Sequence, residues 1–223
     1  MRGKIVVVTG GLGVLGRAVV AAAKAAGAKT AAVDVGQGGS DADLTLGGVD
    51  LVDPAAAAAA MNRIAAELGG VNALANIAGG FVWTHVADGG ADAWAAMHRM
   101  NLGTALGATL AALPHLKDRG GAIVNVAAAA ATKAAAGMGP YAASKAAVLR
   151  LTESLAEELK DDGVRVNAVS PTIIDTARNR ADMPSADFSR WVQPADLAQT
   201  ICFLLSDAAR AITGANVLVA GRV

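Results

Sequence analysis

Tyr141 and Lys145, four residues apart, are the side chains in this sequence best suited to moving a proton. Residues at this spacing share one face of a helix, and helix-forming residues continue from Pro140 to Lys160. A phenol with an ordinary pKa of about 10 is a poor proton shuttle near neutral pH, and a neighbouring ammonium group favours the phenolate. We therefore expect Lys145 to lower the pKa of Tyr141, although an isolated pair of this kind also occurs on ordinary helix surfaces.

A glycine-rich loop, TGGLGVLG at residues 9–16, stands between an apolar run and a helical pattern. Backbone N–H groups and a helix dipole at such a junction can hold a pyrophosphate, while a tight turn is the simpler alternative. Asp34 ends the second apolar run, where a carboxylate can bind both ribose hydroxyls and repel a 2′-phosphate. No Lys or Arg follows Asp34 before residue 44. The pattern predicts NAD(H) rather than NADP(H), unless Asp34 is only a solvated charge at a strand end.

The elements that must position these residues alternate regularly along the chain. Strands are predicted at residues 4–9, 29–33, 48–52, 71–77, 121–127, 164–170 and 215–219. Helices are predicted at residues 15–26, 54–68, 91–117, 140–160 and 194–206. The alternation predicts an α/β fold, with one doubly wound, Rossmann-type and mostly parallel sheet covered by helices on both faces. We expect a single dinucleotide-binding domain over residues 1–223, with an irregular substrate lid at about 171–193.

The composition restricts the partners of the chain. Its 223 residues contain 19 basic and 19 acidic side chains, so no net field attracts nucleic acid or an anionic membrane. No apolar run is long enough to span a bilayer, and the glycines after residue 9 argue against a signal peptide. Cys202 is the single cysteine, which fits a reducing compartment, and the three histidines lack metal-ligand spacing. We expect a cytoplasmic protein with a small-molecule substrate, no metal, no nucleic acid and no membrane partner.

Two predicted helices, at residues 91–117 and 140–160, carry more alanine and apolar surface than one side of a sheet can cover. Apolar surface left exposed on such helices usually marks an interface. The sequence therefore predicts a homo-oligomer, either a dimer or a tetramer.

Five motifs in the same order resemble the short-chain dehydrogenase/reductase family over essentially the whole chain: the glycine loop, Asp34, NIAG at 76–79, Asn101 in MNLGTA, and YAASK at 141–145. The resemblance implies a catalytic set of Tyr141, Lys145 and Asn101, with Asn101 positioning Lys145 through a water molecule. It implies cofactor contacts from Gly10, Leu12, Gly13, Leu15, Gly16, Asp34, Asp50, Leu51, Asn76, Ala78, Gly79, Tyr141, Lys145, Pro171, Ile174 and Thr176.

One departure from the family pattern is chemical. The family's catalytic serine stands thirteen residues before the tyrosine, and that position is Ala128 in this chain. Thr132 is the nearest hydroxyl that could replace it, and a backbone group is the other option. Smaller departures are Val14 and Thr172, each at a position where glycine is common in the family.

Within the family the chain also resembles the dihydropteridine reductases, a branch that dispenses with the serine. The shared segments are GGLGVLG, the AAGMGPYAASK approach to the tyrosine, and above all DTARNRADMPSADFSRW at 175–191. Aromatic and thioether side chains near these segments could sandwich a flat ring. The expected substrate pocket consists of Ala128, Phe81, Trp83, Met138, Met183 and Trp191.

The expected activity is hydride transfer between nicotinamide and a C=O or C=N carbon, with a planar, pterin-like compound as the specific hypothesis. An alcohol or ketone dehydrogenase of unassigned substrate is the alternative within the enzymes. A dinucleotide-binding regulatory protein without catalysis is the alternative of another class. Tyr141, Lys145 and Asn101 argue against this last alternative, because a protein without catalysis has no need of them.

Overall fold

The structure is a computed structural model and describes residues 1–117 and 120–223. Its strands are β1 (Ile5–Thr9), β2 (Lys29–Val33), β3 (Leu44–Leu46), β4 (Ala73–Asn76), β5 (Gly121–Val126), β6 (Val164–Pro171) and β7 (Asn216–Val219). Its helices are α1 (Val14–Ala25), α2 (Pro54–Leu68), α3 (Val86–Met97), α4 (Thr104–Lys117), α5 (Gly139–Glu158), α6 (Ala177–Asp182) and α7 (Pro194–Leu205).

The described strands form one sheet in the order β3-β2-β1-β4-β5-β6-β7, and all of its paired strands run parallel. Parallel pairing requires crossover connections, and here helices provide most of them on both faces of the sheet. The fold class expected from the sequence is confirmed. All carboxyl ends of the strands lie at the same edge, which is where open α/β sheets place their ligands.

Two apolar cores lie on the opposite faces of the sheet. Successive side chains of a strand point to opposite faces, so Val6 and Val8 pack in the core with α1 and α7, whereas Ile5 and Val7 pack in the core with α2 and α4. Because β1 is buried on both faces, its continuous run of β-branched residues shows no alternation of apolar and polar side chains.

The third strand lies earlier than its predicted position at 48–52. The strand is Leu44–Leu46, which pairs with β2, and the chain turns at Gly48, whose φ of 76° is left-handed. Leu51 is buried instead against α4, where a Cβ on Gly107 would lie 1.9 Å from the Leu51 carbonyl oxygen. The glycine pair at 47–48 ends the strand, and the apolar residues on which the prediction at 48–52 was based follow after it.

The single helix predicted at 91–117 is in fact three segments. Helix α3 begins at Val86 and is broken at Gly90 (φ 54°), a π-helical segment follows at His98–Gly103, and α4 continues from Thr104. The lid region at 171–193 contains the short helix α6 and a 3₁₀ turn at Phe188–Arg190. In the described part of the chain, no helix combines the length and apolar character that crossing a bilayer requires.

Candidate active site

Two adjoining clefts open at the carboxyl edge of the sheet. The glycine-loop cleft has a volume of about 840 Å³ and is bordered by the β1–α1 loop and Asp34. The tyrosine cleft has a volume of about 660 Å³ and is bordered by Tyr141 and Lys145. Leu15, Ile77, Gly79 and Thr176 line both clefts. An extended ligand can therefore pass from one cleft into the other.

Close backbone packing shapes the glycine loop. Gly10 has a φ of 64°, and a Cβ on Gly16 would lie only 2.1 Å from the Gly10 carbonyl oxygen. The Gly13 amide donates to the same oxygen at 3.1 Å, and α1 begins at the next residue. Gly10, Gly13 and Gly16 all line the glycine-loop cleft. This places the amino end of a twelve-residue helix at the cleft, where an anion is stabilised.

Asp34 is held by two backbone amides at the far end of this cleft. Its Oδ2 accepts from the Leu12 amide at 3.0 Å and its Oδ1 from the Gly36 amide at 2.9 Å. Leu12, a predicted cofactor contact, lines neither cleft, and its backbone amide instead fixes the Asp34 carboxylate against the glycine loop. The carboxylate lines the cleft beside Val35 and Val49.

Asp50 and Leu51 also line the glycine-loop cleft. The Asp50 carboxylate accepts from Arg99 Nη2 at 2.7 Å and from the Val52 amide at 3.0 Å. Arg99 itself lines the cleft. The ion pair between Asp50 and Arg99 thus joins the loop after β3 to the π-helical segment along the lining of the glycine-loop cleft.

Asn76 does not lie where the sequence predicted it. Its side chain is 3% exposed and points away from both clefts into the core under the sheet edge. Its Nδ2 donates to Asn125 Oδ1 at 2.9 Å and to Thr109 Oγ1 at 3.0 Å, so it links β4 to β5 and α4. The adjoining residues Ala78 and Gly79 do line the glycine-loop cleft. Because successive side chains on a strand alternate between faces, the side chain of residue 76 faces the core and lines neither cleft in this structure.

Tyr141 and Lys145 both line the tyrosine cleft, one turn apart on α5. Lys145 is 5% exposed and its Nζ donates to the Val126 carbonyl oxygen at 2.7 Å. Burial lowers the pKa of Lys145 to about 8, because the charged form is desolvated. An amine of this kind can change its protonation state near neutral pH.

The expected lowering of the phenol pKa is wrong for the structure described here. Burial raises the pKa of Tyr141 to about 12. Desolvation of the phenolate dominates because the Lys145 ammonium donates to Val126 and not to the phenol. The ring of Phe81 packs edge-on against Tyr141, with 4.9 Å between centroids, and adds to this burial.

Asn101 is buried beside the two clefts and lines neither of them. Its Nδ2 donates to Ser144 Oγ at 2.9 Å and to the Gly80 carbonyl oxygen at 3.1 Å, and its Oδ1 accepts from the Gly80 amide at 3.0 Å. A Cβ on Gly79 would lie 2.5 Å from Asn101 Oδ1 and 3.4 Å from Lys145 Nζ. Asn101 is thus a positioning residue that packs the segment after β4 against α5.

The inner wall of the tyrosine cleft is built from alanines that follow β5. Ala128 is 4% exposed and lines the cleft, so the expected hydroxyl is absent at this wall. Thr132 is exposed, lies outside the cleft lining and donates its hydroxyl to the Ala129 carbonyl oxygen at 2.9 Å. Thr132 therefore does not replace the serine in this structure.

Four of the six predicted pocket residues line the tyrosine cleft: Ala128, Phe81, Met138 and Met183. The two tryptophans do not. Trp83 is 56% exposed and packs over Gly137 and against His85, whereas Trp191 is 5% exposed and packs on Phe188 with 4.8 Å between ring centroids. The sequence showed that aromatics were close to the lid but could not show which way each ring turns.

The lid is fastened by contacts within itself and by hydrogen bonds that join Ser189 and Arg190 to Arg222. Asp175 accepts two hydrogen bonds of 2.6 Å from Arg180, and the Arg180 guanidinium lies 4.9 Å from the centroid of the Phe188 ring. The hydrogen bonds from Arg180 hold the pKa of Asp175 below its usual value. Ile174 pairs with Val192 where the lid leaves and rejoins the body of the fold. Pro171, Ile174 and Thr176 line the tyrosine cleft, and Thr176 also caps α6.

Three cationic residues at the clefts were missed by the sequence reasoning. Lys133 lines the tyrosine cleft, and Arg99 and Arg178 line the glycine-loop cleft. Arg178 lies within the 175–191 segment but was not singled out there, and Lys133 and Arg99 belong to no local motif, because only the fold brings them to the site. Within residues 1–117 and 120–223, no cluster of three or more metal-ligating side chains is present.

Comparison with known proteins defines the class. Residues 13–221 match the family described as enoyl-(acyl carrier protein) reductase. D-threitol dehydrogenase of Mycolicibacterium smegmatis is 35% identical over 239 residues, which cover 98% of this chain and 92% of that protein. Cis-4-hydroxycyclohexanecarboxylate dehydrogenase of Sinomonas cyclohexanicum is 34% identical over 240 residues, with 98% and 95% covered.

A solved structure agrees with these matches. Ligand-free aldohexose dehydrogenase of Thermoplasma acidophilum superposes with a TM-score of 0.90 at 26% identity, covering 99% of this chain and 94% of that one. The chain belongs to the short-chain dehydrogenase/reductase family and is an oxidoreductase. The matched relatives are dehydrogenases of other substrates, so the finer resemblance to dihydropteridine reductases is not shown. As an oxidoreductase of this family, the chain is not the dinucleotide-binding protein without catalysis that the sequence left open.

Proposed function

We propose that this protein is an NAD(H)-dependent dehydrogenase that transfers hydride between nicotinamide and the carbon of an alcohol or ketone. The observation that carries the proposal is the placement of Tyr141 and Lys145 in the cleft that adjoins the glycine-loop cleft. Two relatives that match over nearly the full chain are named as dehydrogenases of threitol and of a hydroxycyclohexanecarboxylate, which supports this substrate class.

The residues of the glycine-loop cleft fit a dinucleotide. The space that a Cβ on Gly16 would fill, and the amino end of α1, suit a pyrophosphate. Asp34, fixed by the amides of Leu12 and Gly36, suits two ribose hydroxyls and disfavours a 2′-phosphate. Arg99 and Arg178 line the same cleft. Arg99 is already paired with Asp50, and we therefore assign the cofactor preference to Asp34.

The bound nicotinamide would supply or accept the hydride. In the reducing direction Tyr141 donates its phenolic proton to the substrate oxygen, and in the oxidising direction its phenolate form accepts the hydroxyl proton. Lys145 would hold positive charge next to the cofactor and the phenol, and its lowered pKa lets it pass a proton on. Because the pKa of Tyr141 is raised to about 12 before substrate binds, the phenol is protonated and ready to donate.

The alanine wall at 127–130 offers a substrate oxygen no hydroxyl, and the hydroxyls of Thr172 and Thr176 elsewhere in the lining already bond to the backbone. Substrate orientation would then depend on apolar contact with Phe81, Met138 and Met183, which suits a carbon skeleton larger than a simple short alcohol. A planar C=N substrate of the pterin type is a second candidate for the same cleft. A flat ring can be oriented by stacking and does not need a hydroxyl from the alanine wall. The alcohol or ketone class agrees better with the matched relatives.

We further propose a cytoplasmic location and a homo-oligomer. The lone, buried Cys202 suits a reducing compartment. Apolar side chains on the outer surface of α4, Leu106 at 37% and Leu110 at 57% exposed, suit contact with a second copy.

Substitution of Tyr141 by Phe tests the proposal. We expect turnover to fall by two orders of magnitude or more, within the range for lost general acid catalysis, while NADH affinity stays unchanged because the ring remains. The substrate panel contains diols, cyclic ketones, hydroxycyclohexanecarboxylates and quinonoid dihydropterin, followed by NADH absorbance. Thr132→Val is the matched control, since its hydroxyl lies outside the cleft, and it should keep full turnover. Turnover of the Phe variant within threefold of the parent would refute the proposal.

A further inference from the structure

The charged side chains around the tyrosine cleft all carry the same sign. Of the residues that the structure describes, the charged ones that line it are Lys133 and Lys145, and none of them is Asp or Glu. The glycine-loop cleft differs, because Asp34 and Asp50 lie there together with its two arginines. The substrate end of the site is therefore cationic, although the chain as a whole is neutral.

The two lysines are not equivalent. Lys145 is buried and its Nζ is committed to the Val126 carbonyl oxygen. Lys133 is exposed at the mouth of the cleft, two residues after the 3₁₀ turn at Ala129–Ala131. Its ammonium makes no hydrogen bond or ion pair with any residue in the described ranges. Lys133 is thus the cation that a ligand entering the cleft meets first.

The rest of the lining is mainly apolar. The alanine wall lies on one side, and Phe81, Met138 and Met183 contribute large apolar side chains. A cleft with this lining fits a molecule that has an apolar skeleton and one anionic end. Electrostatic complementarity of this kind selects between ligands more than it adds affinity.

We propose that the substrates of this enzyme carry a carboxylate or a similar single anionic group, which Lys133 binds at the mouth of the tyrosine cleft. The apolar skeleton then places the carbinol or carbonyl carbon at Tyr141. This inference rests on the proposed function, because it names the substrate class of the same site. It makes Lys133 a determinant of specificity that takes no part in proton transfer.

A neutral and an anionic ligand of the same shape test the proposal. Benzoate and benzamide are titrated by calorimetry into the NADH-saturated enzyme, so that no turnover is needed. We expect benzoate to bind about fivefold more tightly than benzamide, the upper end of what an exposed ion pair supplies. In Lys133→Gln the preference should disappear and NADH affinity should stay unchanged. Lys29→Gln, an exposed lysine at the opposite edge of the sheet, should keep the preference.

The outcomes separate this inference from the proposed function. Equal affinity for the two ligands in the parent, or a preference that survives Lys133→Gln, would overturn the role of Lys133. Raised ionic strength should reduce the preference in the parent, because exposed charges are screened. Intact benzoate preference without turnover of any panel substrate would count against the dehydrogenase and leave the anion site standing.

Discussion

Replacement of Lys145 by Met should make the folded protein more stable at neutral pH while it abolishes turnover. Burial lowers the pKa of this lysine from 10.5 to about 8. At about 1.4 kcal/mol per pH unit, the buried charge costs about 3 kcal/mol below pH 8. The Met variant gives up the hydrogen bond to Val126, which is worth about 1 kcal/mol. The net gain at pH 7 is therefore about 2 kcal/mol, or about 4–8 °C in Tm for a chain of this length.

The difference in stability between the parent and the Met variant should change with pH in a defined direction. Between pH 8 and 10.5 the lysine is neutral in the folded state and still charged in the unfolded state. The parent therefore gains stability as pH rises through this window, and the advantage of the Met variant shrinks. Above pH 10.5 the variant should be slightly less stable, because it still lacks the hydrogen bond to Val126.

Urea unfolding of parent and variant at several values between pH 6.5 and 10.5 measures the difference. Lys29→Met is the matched control, because Lys29 is exposed, and its difference from the parent should not change with pH. A Lys145→Met variant that is less stable than the parent at pH 7, or whose difference is the same at every pH, would refute the reasoning.

The parent should bind NADH at least tenfold more tightly than NADPH, and Asp34→Ala should reduce this ratio; equal dissociation constants of the parent in fluorescence titrations would contradict the role of Asp34. Ala128→Ser should not raise kcat/KM on the best substrate, because a hydroxyl added to this apolar wall costs about 1–3 kcal/mol unless it finds a partner. A tenfold rise in kcat/KM would show that Ala128 impairs catalysis on this substrate. Light scattering at micromolar concentration should show an oligomer through the apolar surface of α4, and a monomer would disprove it.

Short sequence patterns predicted those parts of the site whose geometry is set within a single helix, strand or loop. The spacing of Tyr141 and Lys145 is a property of one helix, and the structure places both side chains on the cleft. Asp34 at the end of β2 was predictable because parallel strands present their carboxyl ends at one edge. The glycine loop was predictable for the same reason, since it connects β1 to α1.

Side-chain direction and contacts between distant elements were not predictable in this way. Asn76 is one residue before the segment that lines the cleft, and the alternation of the strand turned it into the core. Trp191 was expected at the pocket because it lies in the lid, but it is buried behind Phe188. The raised pKa of Tyr141 depends on burial by Phe81, which is sixty residues away in sequence. Such effects depend on packing that no short pattern encodes.

The internal fastening of the lid has a consequence for engineering. Its ion pair and ring contacts, from Asp175 to Trp191, join lid residues to one another, and the chain enters and leaves at the Ile174–Val192 pairing. Outside this segment, Arg222 exchanges three hydrogen bonds with Ser189 and Arg190 and so ties the lid to the end of the chain. Residues 174–192 should therefore behave as an exchangeable cassette when Arg222 is transferred with them: grafted between relatives with the same sheet edge, the segment would change which substrates are admitted while the proton-transfer pair on α5 stays in place.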